Sequence, residues 1–148
     1  MTIRLAKKGE ARLLTALSLR SKAGWGYSPD FMRACEKELT VHEEALASVY
    51  VKELTDEVVG FYSLQRLSVD RVELTGLFVE PQRLRQGFGT GLLQDALRRA
   101  RGAGYRSMII QGDPHATAFY RSAGGVRVGD RESESIPGRM LPLFEFVL

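Results

Sequence analysis

The sequence is poor in residues that bind metals or form disulfides. Among its 148 residues the only cysteine is Cys35, and the only histidines are His42 and His115. A single cysteine cannot form an internal disulfide, which is typical of proteins in a reducing, cytoplasmic compartment. Because so few thiols and imidazoles are present, we expect no metal site.

Long apolar segments and a strong net charge are missing as well. No apolar run approaches the ~20 residues of a membrane-spanning helix, and residues 1–8 lack the pattern of a secretory signal. The net charge is only +3, and the basic residues are mostly dispersed along the chain. We therefore expect neither a membrane nor a nucleic acid as a partner. The length and an apolar content of 44% predict one globular domain over residues 1–148.

Apolar periodicity predicts a mixed α+β fold. Helical spacing marks the residues from Glu10 to about Leu19, and Ser28-Pro29 begins a second helix with a serine cap and a proline in the first turn. Strand-type residues with short separators then indicate an antiparallel meander. The predicted strands cover residues 2–6, Ala45–Leu54, Val58–Leu67, Val72–Val79, Tyr105–Ile110, Val126–Asp130 and Arg139–Val147.

The clearest predicted helix follows a glycine-rich loop and lies between two strands. Apolar residues recur along one face of it from Gly89 to Ala100, and Asp95 lies on the opposite, polar side. A strand, a helix and a second strand in this order imply a right-handed parallel crossover. A last helix begins at Asp113-Pro114. The predicted order is β-α-α-β-β-β-α-β-α-β-β, with about four helices and a mostly antiparallel sheet of six or seven strands.

The loop before that helix predicts a ligand that carries phosphate. It follows the strand ending at Val79, and a helix N-terminus offers unpaired N–H groups and a partial positive charge. Gly87 and Gly89 allow a ligand to approach the backbone closely. The loop is not a P-loop, because Gly91 is followed by leucines instead of Lys-Ser/Thr. Nor is it the dinucleotide fingerprint, whose third glycine would fall on Leu92.

Two segments, in this order, resemble the signatures of the Gcn5-related N-acetyltransferase (GNAT) family. Leu84-Arg85-Gln86-Gly87-Phe88-Gly89, preceded by a strand that ends in Val-x-Pro, is similar to Gln/Arg-x-x-Gly-x-Gly/Ala, with Leu84 where the family has Gln or Arg. The segment from Asp113 to Gly124 resembles Asx-x-x-Ala-x-x-Phe/Leu-Tyr-x-x-x-Gly. The resemblance covers about residues 45–147 and implies a GNAT-like central sheet.

The resemblance implies acetyl-CoA as the co-substrate. The pantetheine arm would run along Leu77, Phe78 and Val79 as an extra strand. A backbone N–H near Leu77 or Phe78 would polarise the thioester carbonyl. Asp113 stands where the family often has Asn, so it is a candidate for a cofactor contact as well as for a helix cap. The pyrophosphate would bind backbone N–H groups of the loop residues Arg85, Gln86, Gly87, Phe88, Gly89 and Thr90.

Two residues are catalytic candidates by the same resemblance. Tyr120, the tyrosine of the second signature, would protonate the departing thiolate, since a phenol is still protonated at neutral pH. Glu73 has the spacing from Val79 of the general-base glutamate in histone-type members and would take a proton from the ammonium. Strand alternation would place Glu73, Thr75, Leu77 and Val79 on one face. The alternatives are an aromatic packing role for Tyr120 and a merely solvated Glu73.

In this family the connection between the first two helices often lines the acceptor site, which makes Trp25, Tyr27 and Phe31 the substrate candidates. The resemblance predicts transfer of an acetyl group to a primary amine, in a small molecule or a peptide, by direct attack in a ternary complex. A CoA-binding sensor without turnover, a longer acyl-CoA donor and a protein N-terminus as acceptor stay open as alternatives. Homodimerisation and the identity of the acceptor also stay open.

Overall fold

The computed structural model describes residues 2–148 and contains the predicted order of strands and helices. The strands are β1 (Thr2–Leu5), β2 (Val49–Leu54), β3 (Glu57–Arg66), β4 (Arg71–Val79), β5 (Ser107–Gln111), β6 (Val126–Glu132) and β7 (Met140–Val147). The helices are α1 (Ala11–Ala23), α2 (Pro29–Leu39), α3 (Phe88–Gly102) and α4 (Thr117–Ser122). Short 3-10 helices cover Glu43–Ser48, Pro81–Arg83 and Pro114–Ala116.

All strands join one sheet in the order β1-β2-β3-β4-β5-β7-β6. Strands β4 and β5 run parallel, and the other neighbouring pairs are antiparallel. The parallel pair is joined by α3, as the predicted crossover requires. The mixed, mostly antiparallel sheet with four α-helices confirms the predicted fold class.

The predicted start of the second strand at Ala45 is wrong. Residues Glu43–Ser48 form a 3-10 helix, and β2 begins at Val49, where the β-branched and aromatic residues begin. The Glu43 carboxylate accepts hydrogen bonds from the Gly9 N–H at 3.1 and 3.2 Å. Leu46 is buried in the cluster beside α1. These long-range contacts hold the segment out of the sheet.

Apolar side chains cover both faces of the sheet. On one face, Leu92 and Leu93 of α3 pack against Tyr62, Leu74 and Ile110 of the strands. On the other face, Leu14 and Leu17 of α1 pack with side chains of β2 and β3, namely Val49, Val51 and Phe61. The sheet is therefore a middle layer between two layers of helices.

Asp95 does not lie on an exposed polar side of α3, as the helical pattern predicts, but is buried against the sheet. Its carboxylate accepts hydrogen bonds from the Tyr62 hydroxyl at 2.7 Å and from Arg99 Nε at 2.7 Å. Burial opposes ionisation of Asp95, yet these hydrogen bonds outweigh it, and the pKa of the carboxyl lies below its usual value. A polar residue can occupy this inward position because its carboxylate oxygens have hydrogen-bond donors as partners.

Candidate active site

A cleft opens where the two parallel strands separate. Residues Arg71–Leu74 of β4 pair with Ser107–Ile110 of β5, and the rest of β4 is not paired with β5 in the part of the chain that the structure describes. The end of β5 continues along β7. Beyond that point a cleft of about 880 Å³ is lined by the second half of β4 and by Tyr120. The backbone groups of β4 that face this opening are left for a ligand that pairs like a strand.

A β-bulge in β4 changes which side chains lie on each face of the sheet. Ser63 of β3 pairs with Gly76 and the next residue, Leu64, pairs with Leu74, so Thr75 is the extra residue of the bulge. As a result Leu74 and Leu77, which strict alternation would put on opposite faces, both pack in the cluster under α3. Glu73 therefore lies on the opposite face from Leu77 and Val79, and the predicted alternation of these residues is wrong.

The glycine loop presents a run of unpaired donors at the N-terminus of α3. Gly87 is the N-cap residue with φ +84°, and Arg85 also has a left-handed φ of +64°. Within residues 2–148, no hydrogen bond is donated by the backbone N–H groups of residues 85–90. The nearest neighbours of a Cβ at Gly89 would be Phe119 and Val79, at ordinary contact distances of 3.6–3.7 Å. The loop thus meets the cleft with an array of donors that fits a phosphate-rich ligand.

The Tyr120 side chain borders the cleft from α4 and is 7% exposed. Its ring contacts Phe119 and Phe144 at centroid distances of 5.1 and 5.7 Å. Burial, and secondarily the charge of Asp113, raises the pKa of Tyr120 above the ordinary value for a phenol. The hydroxyl is therefore protonated at neutral pH and can donate a proton or a hydrogen bond into the cleft.

Glu73 and Arg131 form an ion pair at another wall of the cleft. Arg131 Nη1 donates to Glu73 Oε2 at 3.0 Å, and the side chains of Arg131 and Glu73 are 40% and 14% exposed, respectively. Arg131 comes from β6, far from Glu73 along the chain. The sequence contains no local signal for this partner.

Asp113 is surrounded by donors from three other segments. Its carboxylate accepts hydrogen bonds from the His115 N–H at 2.9 Å, from Lys22 Nζ at 2.7 Å and from the Tyr27 hydroxyl at 2.8 Å. Arg139, which precedes β7, donates to the Tyr27 hydroxyl at 2.7 Å. Burial opposes ionisation of Asp113, but the hydrogen bonds from Lys22 and the His115 N–H lower its pKa below the usual range. Asp113 therefore ties both ends of the α1–α2 connection to the start of α4.

The aromatic residues of the α1–α2 segment divide into two groups. Trp25 lines the cleft and stacks on His115 at a centroid distance of 5.1 Å. Tyr27 and Phe31 stack on each other at 4.0 Å and are not among the cleft-lining residues. Burial, and then the hydrogen bond to Asp113, raises the pKa of Tyr27 to about 12. Of the three substrate candidates, only Trp25 borders the cleft.

The family model for the acetyltransferase (GNAT) family matches residues 14–124. The chain belongs to this family. Acetyl-CoA is the co-substrate that GNAT enzymes use, and the unpaired donors of the loop and the opening beside β4 fit it. The comparison with curated proteins found no match. Within residues 2–148 no helix is long and apolar enough to cross a membrane, and no group of three or more metal-ligating side chains is found.

Solved GNAT structures share the fold. A GCN5-related N-acetyltransferase from Rhodopseudomonas palustris is 20% identical with a TM-score of 0.79, covering 99% of this chain and 95% of its own. The PaiA N-acetyltransferase from Thermoplasma acidophilum, in complex with coenzyme A, is 15% identical with a TM-score of 0.77. The match covers 99% of this chain and 98% of the PaiA chain. A GNAT acetyltransferase from Elizabethkingia anophelis, with acetyl-CoA bound, is 19% identical with a TM-score of 0.72, covering 99% and 97%.

The structure adds charged residues that sequence reasoning missed. Lys22 and Arg139 reach the predicted candidates Asp113 and Tyr27, and Arg131 reaches Glu73. Each of these contacts joins residues that are distant in the sequence, so neither a motif nor a periodicity could indicate it. The basic residues of this GNAT enzyme are thus not all dispersed surface charges.

Proposed function

We propose that this GNAT enzyme transfers the acetyl group of acetyl-CoA to a primary amine by direct attack in a ternary complex. The observation that carries the proposal is the array of unpaired N–H groups in residues 85–90, next to a cleft that Tyr120 lines. A phosphate-rich ligand held by its pyrophosphate at the loop would extend its acyl end toward Tyr120.

The second half of β4 would hold the pantetheine arm as an added strand. Leu77 and Phe78 are paired on one side with Tyr62 and Phe61 of β3. Since backbone N–H groups alternate in direction along a strand, one of these two residues directs its N–H toward the opening. That N–H would polarise the thioester carbonyl. Asp113 is proposed to contribute by anchoring loops rather than by contacting the cofactor, because Lys22, Tyr27 and the His115 N–H occupy its oxygens.

The chemistry takes two protons from the nitrogen and gives one to the sulfur. Bound acetyl-CoA supplies a thioester whose carbonyl carbon is open to attack. The ammonium first gives one proton to Glu73, directly or through water, and Glu73 passes it to solvent. The amine nitrogen then bonds to the carbonyl carbon, and the carbon–sulfur bond breaks. Tyr120 donates a proton to the departing sulfur and is reprotonated by the second proton that the nitrogen loses. Trp25 would line the acceptor side, and Tyr27 and Phe31 would support it from behind.

The fold alone does not determine which acceptor the enzyme uses. Solved structures of similar TM-score include an aminoglycoside 6'-N-acetyltransferase at 0.74 and the N-acetylglutamate synthase of Neisseria gonorrhoeae at 0.72, which is complexed with coenzyme A and N-acetyl-glutamate. The acceptors that the names of these two enzymes imply share an amine and little else. We keep a reducing, cytoplasmic location as part of the proposal, because the single cysteine, Cys35, is free and buried.

Calorimetric titration with acetyl-CoA and with CoA tests the cofactor assignment. The wild type should bind both, and Gly89→Glu should weaken binding about tenfold or more, because it places a carboxylate beside the phosphates. Gly102→Glu, the same change at the other end of α3 where a Cβ meets nothing within 4 Å, is the matched control. No binding by the wild type at millimolar ligand would refute the proposal.

Tyr120→Phe separates an enzyme from a sensor. Loss of a general acid should reduce turnover by about 10²-fold or more, while the affinity for CoA should stay close to that of the wild type. Equal turnover in Tyr120→Phe would remove Tyr120 from the mechanism. Binding of CoA without acetylation of any amine in a broad panel would favour the sensor.

A further inference from the structure

The ion pair between Glu73 and Arg131 carries information about the acceptor, if the proposed function is correct. Glu73 Oε2 is occupied by Arg131, and within residues 2–148 no hydrogen bond reaches Oε1. In the same part of the chain, Nη1 is the one Arg131 nitrogen with a hydrogen bond, and the side chain is 40% exposed in the cleft wall. The cleft therefore presents one free carboxylate oxygen beside a guanidinium with unused donors.

The guanidinium is held by Glu73, and the chain segment after it is fixed by other contacts. Strands β5 and β7 lie between β4 and β6, so the Arg131 side chain reaches across the sheet to Glu73. The loop after β6 is fixed as well, because Ser135 Oγ donates to Glu38 at 3.2 Å and Arg139 donates to Tyr27. Ser133 Oγ accepts from the N–H groups of residues 135 and 136 within this loop. A charge on such a supported segment can bind a ligand group in a defined place.

An amine that gives its proton to Glu73 must lie within hydrogen-bond reach of that carboxylate or of a bridging water. It then lies next to Arg131 as well, because the two side chains are 3.0 Å apart. A second ammonium at this place, as in a polyamine, would face a like charge. A carboxylate on the carbon that bears the amine would instead accept charge-assisted hydrogen bonds from the free guanidinium donors.

The other charged side chains of the cleft are consistent with a ligand that carries both a positive and a negative group. Glu38 and Glu134 line it together with Lys22 and Arg66. A cleft whose charged side chains all had the same sign would suit a polycation or a polyanion, whereas this cleft carries charges of both signs. We propose that the acceptor is a free α-amino acid, with its ammonium on Glu73 and its carboxylate on Arg131.

The proposal also accounts for the release of product. Acetylation converts the ammonium into a neutral amide while the carboxylate keeps its charge. The ion pair with Glu73 is then replaced by a weaker hydrogen bond from the amide N–H, while the contact with Arg131 remains, so we expect the N-acetyl amino acid to bind less tightly than the amino acid does.

Acceptors that differ only at the carboxylate test the proposal. A panel of amino acids, their carboxamides and the corresponding decarboxylated amines is assayed for acetyl transfer, with kcat/KM as the readout. The wild type should prefer the acid over its amide about 10- to 100-fold, the range expected for a hydrogen bond to a charged group. Arg131→Gln should bring this ratio close to one, and Arg131→Lys should leave it intermediate. The ratio is used because any effect of the substitution on Glu73 acts on both acceptors.

Arg127→Gln is the control, because Arg127 lies on the same strand but pairs with Asp130 outside the cleft-lining residues. It should keep the wild-type ratio. Equal use of acid and amide by the wild type, an unchanged ratio in Arg131→Gln, or acetylation of amines without any amino acid would each overturn the proposal. These results leave acetyl-CoA binding untouched, whereas a wild type that binds no acetyl-CoA would refute the proposed function itself.

Discussion

Replacing Asp113 with alanine should loosen the acceptor side of the cleft and destabilise the protein. The carboxylate is the common partner of Lys22 and Tyr27, and the side chains of Asp113 and Lys22 are only 11% and 12% exposed. After the substitution the Lys22 ammonium stays nearly buried without the Asp113 carboxylate, and the His115 N–H loses the oxygen that accepts its hydrogen bond. Both groups would have to reach water, which requires the α1–α2 connection to move away from α4.

The size of the effect follows from the burial. Removing one partner of a buried ion pair costs about 3–5 kcal/mol, and the slight exposure of this pair places it at the lower end. With the lost cap, worth ~1 kcal/mol, we expect the free energy of unfolding to fall by about 3–4 kcal/mol. For a chain of this length that lowers the Tm by about 10 °C.

Two readouts check this prediction. Calorimetry or circular dichroism gives the Tm, and the emission of Trp25, the only tryptophan of the chain, reports on the connection itself. Its stacking on His115 should weaken, so the emission should shift to the red and acrylamide should quench it more strongly. Asp70→Ala is the control, because its carboxylate is 57% exposed and lies 3.9 Å from Arg106. The control should change stability by less than about 0.5 kcal/mol.

The Lys22→Met variant completes a double-mutant cycle. If Asp113 and Lys22 stabilise each other, the double variant is less destabilised than the sum of the single variants. If the free energy of unfolding of Asp113→Ala fell by less than about 1 kcal/mol, or if the Trp25 emission did not change, the anchoring role would be refuted. Removing one partner of a buried ion pair costs more than that.

Two more predictions concern pH and the far side of the sheet. Because the folded pKa of Asp113 is lowered, its stabilisation is present above the unfolded pKa of about 3.9 and is lost as the pH falls through the lower folded value. The difference in Tm between wild type and Asp113→Asn should therefore be constant from pH 8 to 5 and shrink below about pH 4; a difference that shrinks already near pH 6 would point to another group. Tyr62→Phe, which removes a 2.7 Å hydrogen bond to buried Asp95, should cost about 1.5–3 kcal/mol by urea unfolding. It should leave kcat/KM unchanged, because Tyr62 does not line the cleft.

Local patterns were enough to predict much of the fold. The Ser28 hydroxyl accepts from the Phe31 N–H at 3.2 Å, and Pro29 occupies the first turn of α2, as the cap signal indicates. The loop around Gly87 begins α3 with a left-handed residue, which the glycine made predictable. These features depend on neighbours along the chain, which a single sequence displays.

Features that depend on distant partners could not be predicted in this way. Asp95 is polar, so the helical pattern placed it outside, but Tyr62 of β3 and Arg99 make an inward carboxylate acceptable. The sequence indicates Glu73 without its partner Arg131, and Asp113 without its partner Lys22. A single sequence contains no record of which charges meet across a sheet, because that depends on how the strands are ordered.

The bulge at Thr75 shapes the cleft and leaves the core unaffected. Thr75 is exposed, and many side chains could replace it without touching the core. Deleting the residue would keep Leu64 opposite Leu74 and Ser63 opposite Gly76, so Leu77 and Val79 would stay in the layer under α3. The strand would lose the bend that the bulge introduces, directly after Leu74, where the pairing of β4 with β5 ends. Over evolutionary time, then, we expect the length of this segment to be conserved through the shape of the cleft and not through the packing of the core.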